Sequence, residues 1–129
     1  MHAVDTNVLV RLLTADEPEQ TRRAAALFQR EDIFIAKTVL LETAWVLQSV
    51  YDLKAPAILD ALRKLAGLAN VEIEDAQAVW LALGACEKGM DLADALHVAS
   101  SRGADKFATF DARVVKSAPK DDLPLAVLL

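Results

Sequence analysis

The sequence is poor in the residues that mark several large protein classes. One cysteine among 129 residues excludes an internal disulfide, which fits a reducing cytosol. This residue, Cys86, shares a helix face with Val79 and Leu83 and is expected in the core. No run of eighteen uncharged apolar residues occurs, and no basic segment followed by an apolar core opens the chain. We therefore expect a cytoplasmic protein without a membrane span.

The motifs of several enzyme classes are also missing. The four glycines form no glycine-rich loop of the kind that cradles phosphates. Ser100 and Ser101 have no adjacent His/Asp constellation, which argues against a serine hydrolase. No His or Cys accompanies the acidic residues at metal-ligand spacing. His97 is alone on a largely apolar helix, so a structural role is expected for it.

An excess of positive charge is absent as well. The chain has 14 basic and 19 acidic residues and a formal net charge of −5, whereas non-specific nucleic-acid binding usually accompanies a basic excess. Setting aside the four acidic residues considered below leaves 15 acidic against 14 basic residues, so the remaining surface is nearly neutral. The acidity therefore argues against bulk electrostatic attraction of nucleic acid, without excluding a protein that acts on it through a few local contacts.

The apolar pattern predicts a single α/β domain over residues 1–129. Hydrophobic residues make up 54% of the chain and charged residues 26%, as in soluble globular domains. Short β-branched or aromatic runs predict strands at 2–4, 33–35, 71–73 and 106–109, with a possible fifth at 125–127. Helical patterns separate these runs. We therefore expect a three-layer α/β/α sandwich around a mostly parallel sheet of four or five strands.

Four acidic residues lie where strands meet helices or early in a helix: Asp5, Glu42, Asp94 and Asp111. Because the carboxyl ends of parallel strands open into one crevice, these carboxylates are expected to gather there. Gathered carboxylates repel one another unless a cation lies among them. Oxygen ligands alone suit Mg²⁺ or Mn²⁺ better than zinc. The pattern thus predicts a divalent-metal site and favours metal-dependent cleavage of phosphodiesters.

Each acid taken alone also has a structural interpretation. Asp5, Asp94 and Asp111 could be helix caps, first-turn carboxylates or turn residues, although Thr6 and Asn7 offer alternative caps beside Asp5. Asn7 is expected to be a cap or a loop hydrogen bonder, not a ligand.

For Glu42 and Thr109, the possible roles depend on the residues beside them. Glu42 shares a helix face with Val39 and Val46, where a buried salt bridge competes with metal ligation. Thr109 would share one side of an extended segment with Asp111 and could bond a ligand or water.

Four basic residues fall near the segments that would build the rim of the crevice: Arg11, Arg102, Arg113 and Lys116. These residues could contact RNA phosphates or could be ordinary solvated surface charge, and the sequence does not decide between the two roles.

The sequence resembles the PIN-domain ribonucleases over nearly its whole length. The run from Val4 to Leu13 looks like their opening motif, and the segments around Glu42, Asp94 and Asp111 follow in the expected order. Order, spacing and length also resemble the VapC-type toxins of toxin–antitoxin pairs. The resemblance implies a Mg²⁺- or Mn²⁺-dependent endoribonuclease in which Asp5, Glu42, Asp94 and Asp111 coordinate one or two ions. It further implies that Thr6, Asn7 and Thr109 support these ligands.

The same resemblance implies an RNA substrate, a homodimer and a cognate antitoxin whose tail covers the site. The residues that could contribute to such interfaces, or equally to the core, are Trp45, Leu47, Val50 and Tyr51.

Two other functions compete with the nuclease. In a non-catalytic PIN-like interaction module the acids would be caps and surface charge. A phospho-acceptor signalling domain would need an Asp after a middle strand, but the second strand is followed by Ala36 and Lys37.

Overall fold

A computed structural model describes residues 1–121 and 123–129. The chain divides into two compact units, Met1–Glu74 and Asp75–Leu129, called unit 1 and unit 2 below. In the described part of the chain, no helix has the length and apolar character needed to cross a membrane.

Unit 1 contains three parallel strands and four helices. In chain order they are β1 (His2–Ala3), α1 (Thr6–Thr14), α2 (Pro18–Arg30), β2 (Ile33–Ile35), α3 (Lys37–Ser49), α4 (Ala55–Ala66) and β3 (Val71–Ile73). The strand order is β1-β2-β3, with His2 beside Ile33 and Ile35 beside Ile73. Ile33 and Ile35 are fully buried, as expected for a central parallel strand covered on both faces.

The described residues of unit 2 form two parallel strands and three helices. They are α5 (Ala76–Glu87), α6 (Leu92–Ser100), β4 (Lys106–Thr109), α7 (Ala112–Ser117) and β5 (Leu125–Leu128). β4 and β5 pair in parallel, with Lys106 beside Leu125 and Thr109 beside Leu128. Buried Val79 and Leu83 on α5 and Val98 on α6 contribute to the core of this unit.

Acidic side chains begin several of these helices, because an N-terminal carboxylate accepts the backbone N–H groups that lack a partner inside the helix. Glu17 caps α2 just before Pro18, and Asp91 caps α6 by accepting the backbone N–H of Asp94 at 3.1 Å. At the other end of α2, Asn70 Nδ2 donates to two backbone carbonyl oxygens, at 2.6 and 2.8 Å. These bonds tie the end of α2 to the start of β3.

The elements confirm the predicted α/β class with parallel strands. The predicted strands lie at the expected positions, and the possible fifth strand is present as β5. Helix α1 begins at Thr6, because Asp5 is its N-cap. The prediction that Thr6 and Asn7 serve as alternative caps is therefore wrong, since both lie inside the helix. Cys86 is half-buried and not in the core as expected.

Candidate functional site

Two of the four predicted acids lie in unit 1, and both contact Thr6. Asp5 is exposed, and its Oδ1 accepts the backbone N–H of Thr6 at 2.8 Å. The side chain of Thr6 is buried, and its hydroxyl donates to Oε1 of Glu42 across 36 residues of sequence. Thr6 therefore holds two carboxylates at once, one through its backbone and one through its side chain.

Glu42 is exposed on α3, although its neighbours Val39 and Val46 are half-buried. The interpretation of Glu42 as a buried salt bridge is therefore wrong. Its carboxylate is oriented by a neutral hydroxyl and stays accessible to solvent, so its second oxygen can take a further partner.

Asn7 is exposed on the first turn of α1 and lines a groove next to helix α2. It is neither a cap nor a loop residue, contrary to the prediction.

The other two predicted acids lie in unit 2 and interact electrostatically. Burial raises the pKa of the Asp94 carboxyl, and the neighbouring carboxylates of Asp91 and Asp111 raise it further. His97 and Arg113 act in the opposite direction but do not cancel the effect. Asp94 is therefore a half-buried acid whose negative charge is opposed by two like charges.

Asp111 caps α7 and is paired with Arg113. Its Oδ1 accepts the backbone N–H of Arg113 at 2.9 Å, and its Oδ2 accepts from the guanidinium Nη2 at 2.9 Å. The Arg113 side chain thereby holds the pKa of Asp111 below its ordinary value. Thr109 supports this turn, since its hydroxyl oxygen accepts the backbone N–H of Asp111 at 3.0 Å. Thr109 and Asp111 therefore lie close together, as expected, and the hydroxyl of Thr109 contacts the backbone of Asp111.

Asp94 and Asp111 open into a cleft of about 690 Å³ within unit 2. Its lining includes three acidic and three basic side chains: Asp91, Asp94, Asp111, Lys88, Arg113 and Lys116. Lys88 was not among the candidates from sequence, because a lysine near the end of a helix has no local feature that separates it from surface charge. The cleft thus combines carboxylates that can bind a cation with basic groups that can bind phosphate.

Two of the four basic candidates have other partners. Arg102 forms a salt bridge with Asp75 at 2.7 Å. Arg11 donates to Gln20 at 2.7 Å and to the hydroxyl of Tyr51 at 3.1 Å. Both arginines are half-buried and paired, which argues against solvated surface charge, and phosphate binding by either of them stays a prediction. Asp75 precedes α5 but makes no side-chain capping bond to it.

The donor chemistry fits a hard divalent cation, because every candidate ligand is an oxygen. A cation would also relieve the repulsion that raises the pKa of Asp94. Within residues 1–121 and 123–129, however, no three His, Cys, Asp or Glu side chains are grouped closely enough to hold a metal. The structure therefore supplies two acidic pairs, Asp5 with Glu42 around Thr6 and Asp94 with Asp111 at the cleft.

Comparison with known families identifies the family of the chain. The model of the PIN domain family matches residues 3–119, a range that contains all four acids and spans both units. The match confirms the predicted fold class, an α/β sandwich of the PIN type. PIN domains are generally metal-dependent nucleases that use Mg²⁺ or Mn²⁺. No curated protein and no solved structure matches the chain significantly.

Proposed function

The chain belongs to the PIN-domain family, and from that premise we propose that it is a Mg²⁺- or Mn²⁺-dependent endoribonuclease. The observation that carries the proposal is the cleft of unit 2, where Asp94 and Asp111 lie together with Lys88, Arg113 and Lys116. Carboxylates that repel one another destabilise the fold unless a bound cation offsets their charge. Basic groups beside them can bind the phosphate of a substrate.

The proposed ligands of the ion are the four acids Asp5, Glu42, Asp94 and Asp111. When bound, the ion would lower the pKa of a water and stabilise charge on the scissile phosphate. Thr6 fixes the direction of Glu42 through its hydroxyl, and Thr109 fixes the turn that carries Asp111. Lys88 and Lys116 are exposed and can attract the phosphates that flank the scissile one.

The biological setting follows from the resemblance to VapC-type toxins. We propose a cytoplasmic toxin of a VapBC-type pair, folded as one PIN-like domain over residues 1–129, acting as a homodimer and inhibited by a cognate antitoxin. Trp45 and Val50 are 62% and 67% exposed and are suited to an interface. Leu47 is fully buried and belongs to the core, and Tyr51 bonds Arg11 and Asp16.

The direct test is cleavage of a mixed pool of tRNA, rRNA and mRNA by the wild type and by Asp94→Asn, with Mg²⁺, with Mn²⁺ and with EDTA. We expect metal-dependent cleavage by the wild type and none by the variant. Asp105→Asn is the matched control, because Asp105 is exposed in the same unit and does not line the cleft. Full metal-dependent activity of a clean Asp94→Asn preparation would contradict the proposal.

A non-catalytic PIN-like interaction module is the second candidate function. The observation that favours it is that the described residues contain no group of three potential ligands. Titration with Mg²⁺ and Mn²⁺ separates the two, because an ion that binds the folded state raises the melting temperature. No shift with either ion would favour the module. The phospho-acceptor alternative has lost its basis, since α3 begins directly after Ala36 and the family is one of nucleases.

A further inference from the structure

A groove within unit 1 is strongly basic although the protein is acidic. It has a volume of about 710 Å³ and lies against α1 and α2. The basic residues that line it are Arg11, Arg22, Arg23 and Arg30. All of its lining residues belong to the described segment 7–30, and none of them is an Asp or Glu. In a chain with a net charge of −5, this groove is a local site of positive charge.

Two of these arginines are available to a ligand. Arg11 is bonded to Gln20 and Asp16, and Arg22 forms an exposed pair with Glu19 at 2.7 Å. Arg23 and Arg30 are exposed, and across residues 1–121 and 123–129 neither side chain takes part in a hydrogen bond or a salt bridge, although the charge of Arg23 helps to lower the pKa of Glu19. Their guanidinium groups can therefore bind an anion without breaking an existing bond.

The two free arginines lie along one line on α2. They are seven residues apart, which is about 10 Å along a helix axis, and Leu27 lies between them on the same face. Val8, Ala24, Ala26 and Leu27 give the groove an apolar component. Alternating charge and apolar surface suits a chain of phosphates whose unpaired bases and sugars contact the apolar part.

The groove also includes a residue at the start of α1, close in sequence to the candidate metal ligand Asp5. Asn7 lines it and directly follows Thr6, the residue that holds Glu42 and bonds Asp5. A substrate strand that passes these carboxylates can therefore continue along α2 over Arg23 and Arg30.

We propose that the groove between α1 and α2 binds the backbone of a single-stranded RNA substrate, with Arg23 and Arg30 as positioning residues for its phosphates. The proposal rests on the ribonuclease function proposed above and names how that substrate is held. These arginines hold RNA away from the scissile bond, so they affect KM and leave kcat within about twofold.

The experiment compares Arg23→Gln/Arg30→Gln with Lys54→Gln/Lys64→Gln, a control with the same change in net charge on exposed residues outside the groove. Binding of a fluorescein-labelled, mixed-sequence single-stranded RNA is measured in EDTA by anisotropy over a range of salt concentrations. KM and kcat are then measured in Mg²⁺, and melting temperatures confirm that both variants fold.

We expect the arginine variant to lower the slope of log K against log salt by about 1.4, since each phosphate contact to single strands contributes about 0.7. KM should rise about tenfold or more, and the control should match the wild type. Arg23→Lys/Arg30→Lys should restore the salt slope, because lysine keeps the charge.

Equal RNA binding by the arginine variant and the control overturns the proposal. The proposal is overturned in the same way if the arginine variant binds RNA as the control does but no longer associates with a protein partner. If the wild type cleaves in Mg²⁺ while the arginine variant binds and cleaves normally, the groove proposal fails and the nuclease function stands. If the wild type binds RNA through the groove but cleaves none, the nuclease function fails and the groove proposal stands.

Discussion

The hydroxyl of Thr6 is a sensitive point of the candidate site, and Thr6→Val removes it with little other change. Thr6 is 4% exposed and donates its side-chain hydrogen bond to Glu42. Valine has nearly the same volume and a similar helix propensity, so packing and the first turn of α1 should be kept. The substitution therefore isolates the bond between α1 and α3.

The expected magnitude follows from the type of bond and its exposure. A hydrogen bond to a charged group contributes about 1.5–3 kcal/mol. Glu42 is exposed, so water competes for its carboxylate, and we expect a loss of about 1 kcal/mol in the free energy of unfolding. For a chain of this size the melting temperature should fall by about 4 °C. Looser orientation of Glu42 should also weaken Mg²⁺ binding about 10- to 100-fold.

A double-mutant cycle of Thr6→Val with Glu42→Ala measures the coupling by denaturant unfolding, because alanine removes the acceptor oxygen. Thr14→Val with Glu42→Ala is the control cycle, because Thr14 is on the same helix and donates to Val10 and Asp16. We expect a coupling of at least about 0.5 kcal/mol for Thr6 and none for Thr14. Equal coupling in the two cycles would refute the view that Thr6 positions Glu42.

Four further predictions concern stability and association. Because the Tyr51 hydroxyl bonds Asp16 at 2.6 Å and lowers the pKa of that carboxyl below its ordinary value, the ionised form stabilises the fold above the unfolded pKa, and this contribution is lost as pH falls through the folded value. Urea unfolding of Tyr51→Phe should therefore show a deficit at pH 7 that becomes smaller as the pH falls through the folded pKa of Asp16. Asn70→Ala should cost about 2 kcal/mol in the same assay, since it removes two bonds to backbone carbonyls. Leu47→Ala should cost about 3 kcal/mol at a fully buried position, whereas Trp45→Ala should leave stability within about 0.5 kcal/mol and reduce dimerisation in sedimentation.

The strands and most helix starts were predictable because their signals are local. A β-branched run such as Ile33-Phe34-Ile35 predicts a buried strand, and an Asp directly before an apolar helical segment, such as Asp91, is typical of an N-cap. Asp5 shows the limit of such signals. Its carboxylate caps α1, and one oxygen engaged by an N–H still leaves acceptor capacity for a cation. Cap and ligand are therefore not alternatives, and the sequence could not separate them.

The partners of charged residues were not predictable, because those contacts join distant parts of the chain. Arg102 pairs with Asp75 across 27 residues, and Arg11 bonds Tyr51 across 40. No local periodicity reports such pairs. The basic groove was missed for a different reason. Arg23 and Arg30 follow a helical spacing with Leu27 that is visible in the sequence, but exposed basic residues at such spacing are equally typical of a solvated helix face.

The cleft of unit 2 and the groove of unit 1 differ in whether their attraction for phosphate depends on a bound metal ion. The cleft of unit 2 has three acidic and three basic lining side chains, which cancel, so a bound divalent cation is what would make it attractive to phosphate. The groove of unit 1 has no acidic lining residue within its described range 7–30, and two of its four arginines, Arg23 and Arg30, form no side-chain salt bridge there, so its attraction for RNA needs no metal. RNA binding measured in EDTA therefore tests the groove, and any additional RNA binding in Mg²⁺ tests the metal site formed by the acidic residues. A net charge of −5 is compatible with both, because phosphates within a Debye length respond to nearby charges more than to the sum over the protein.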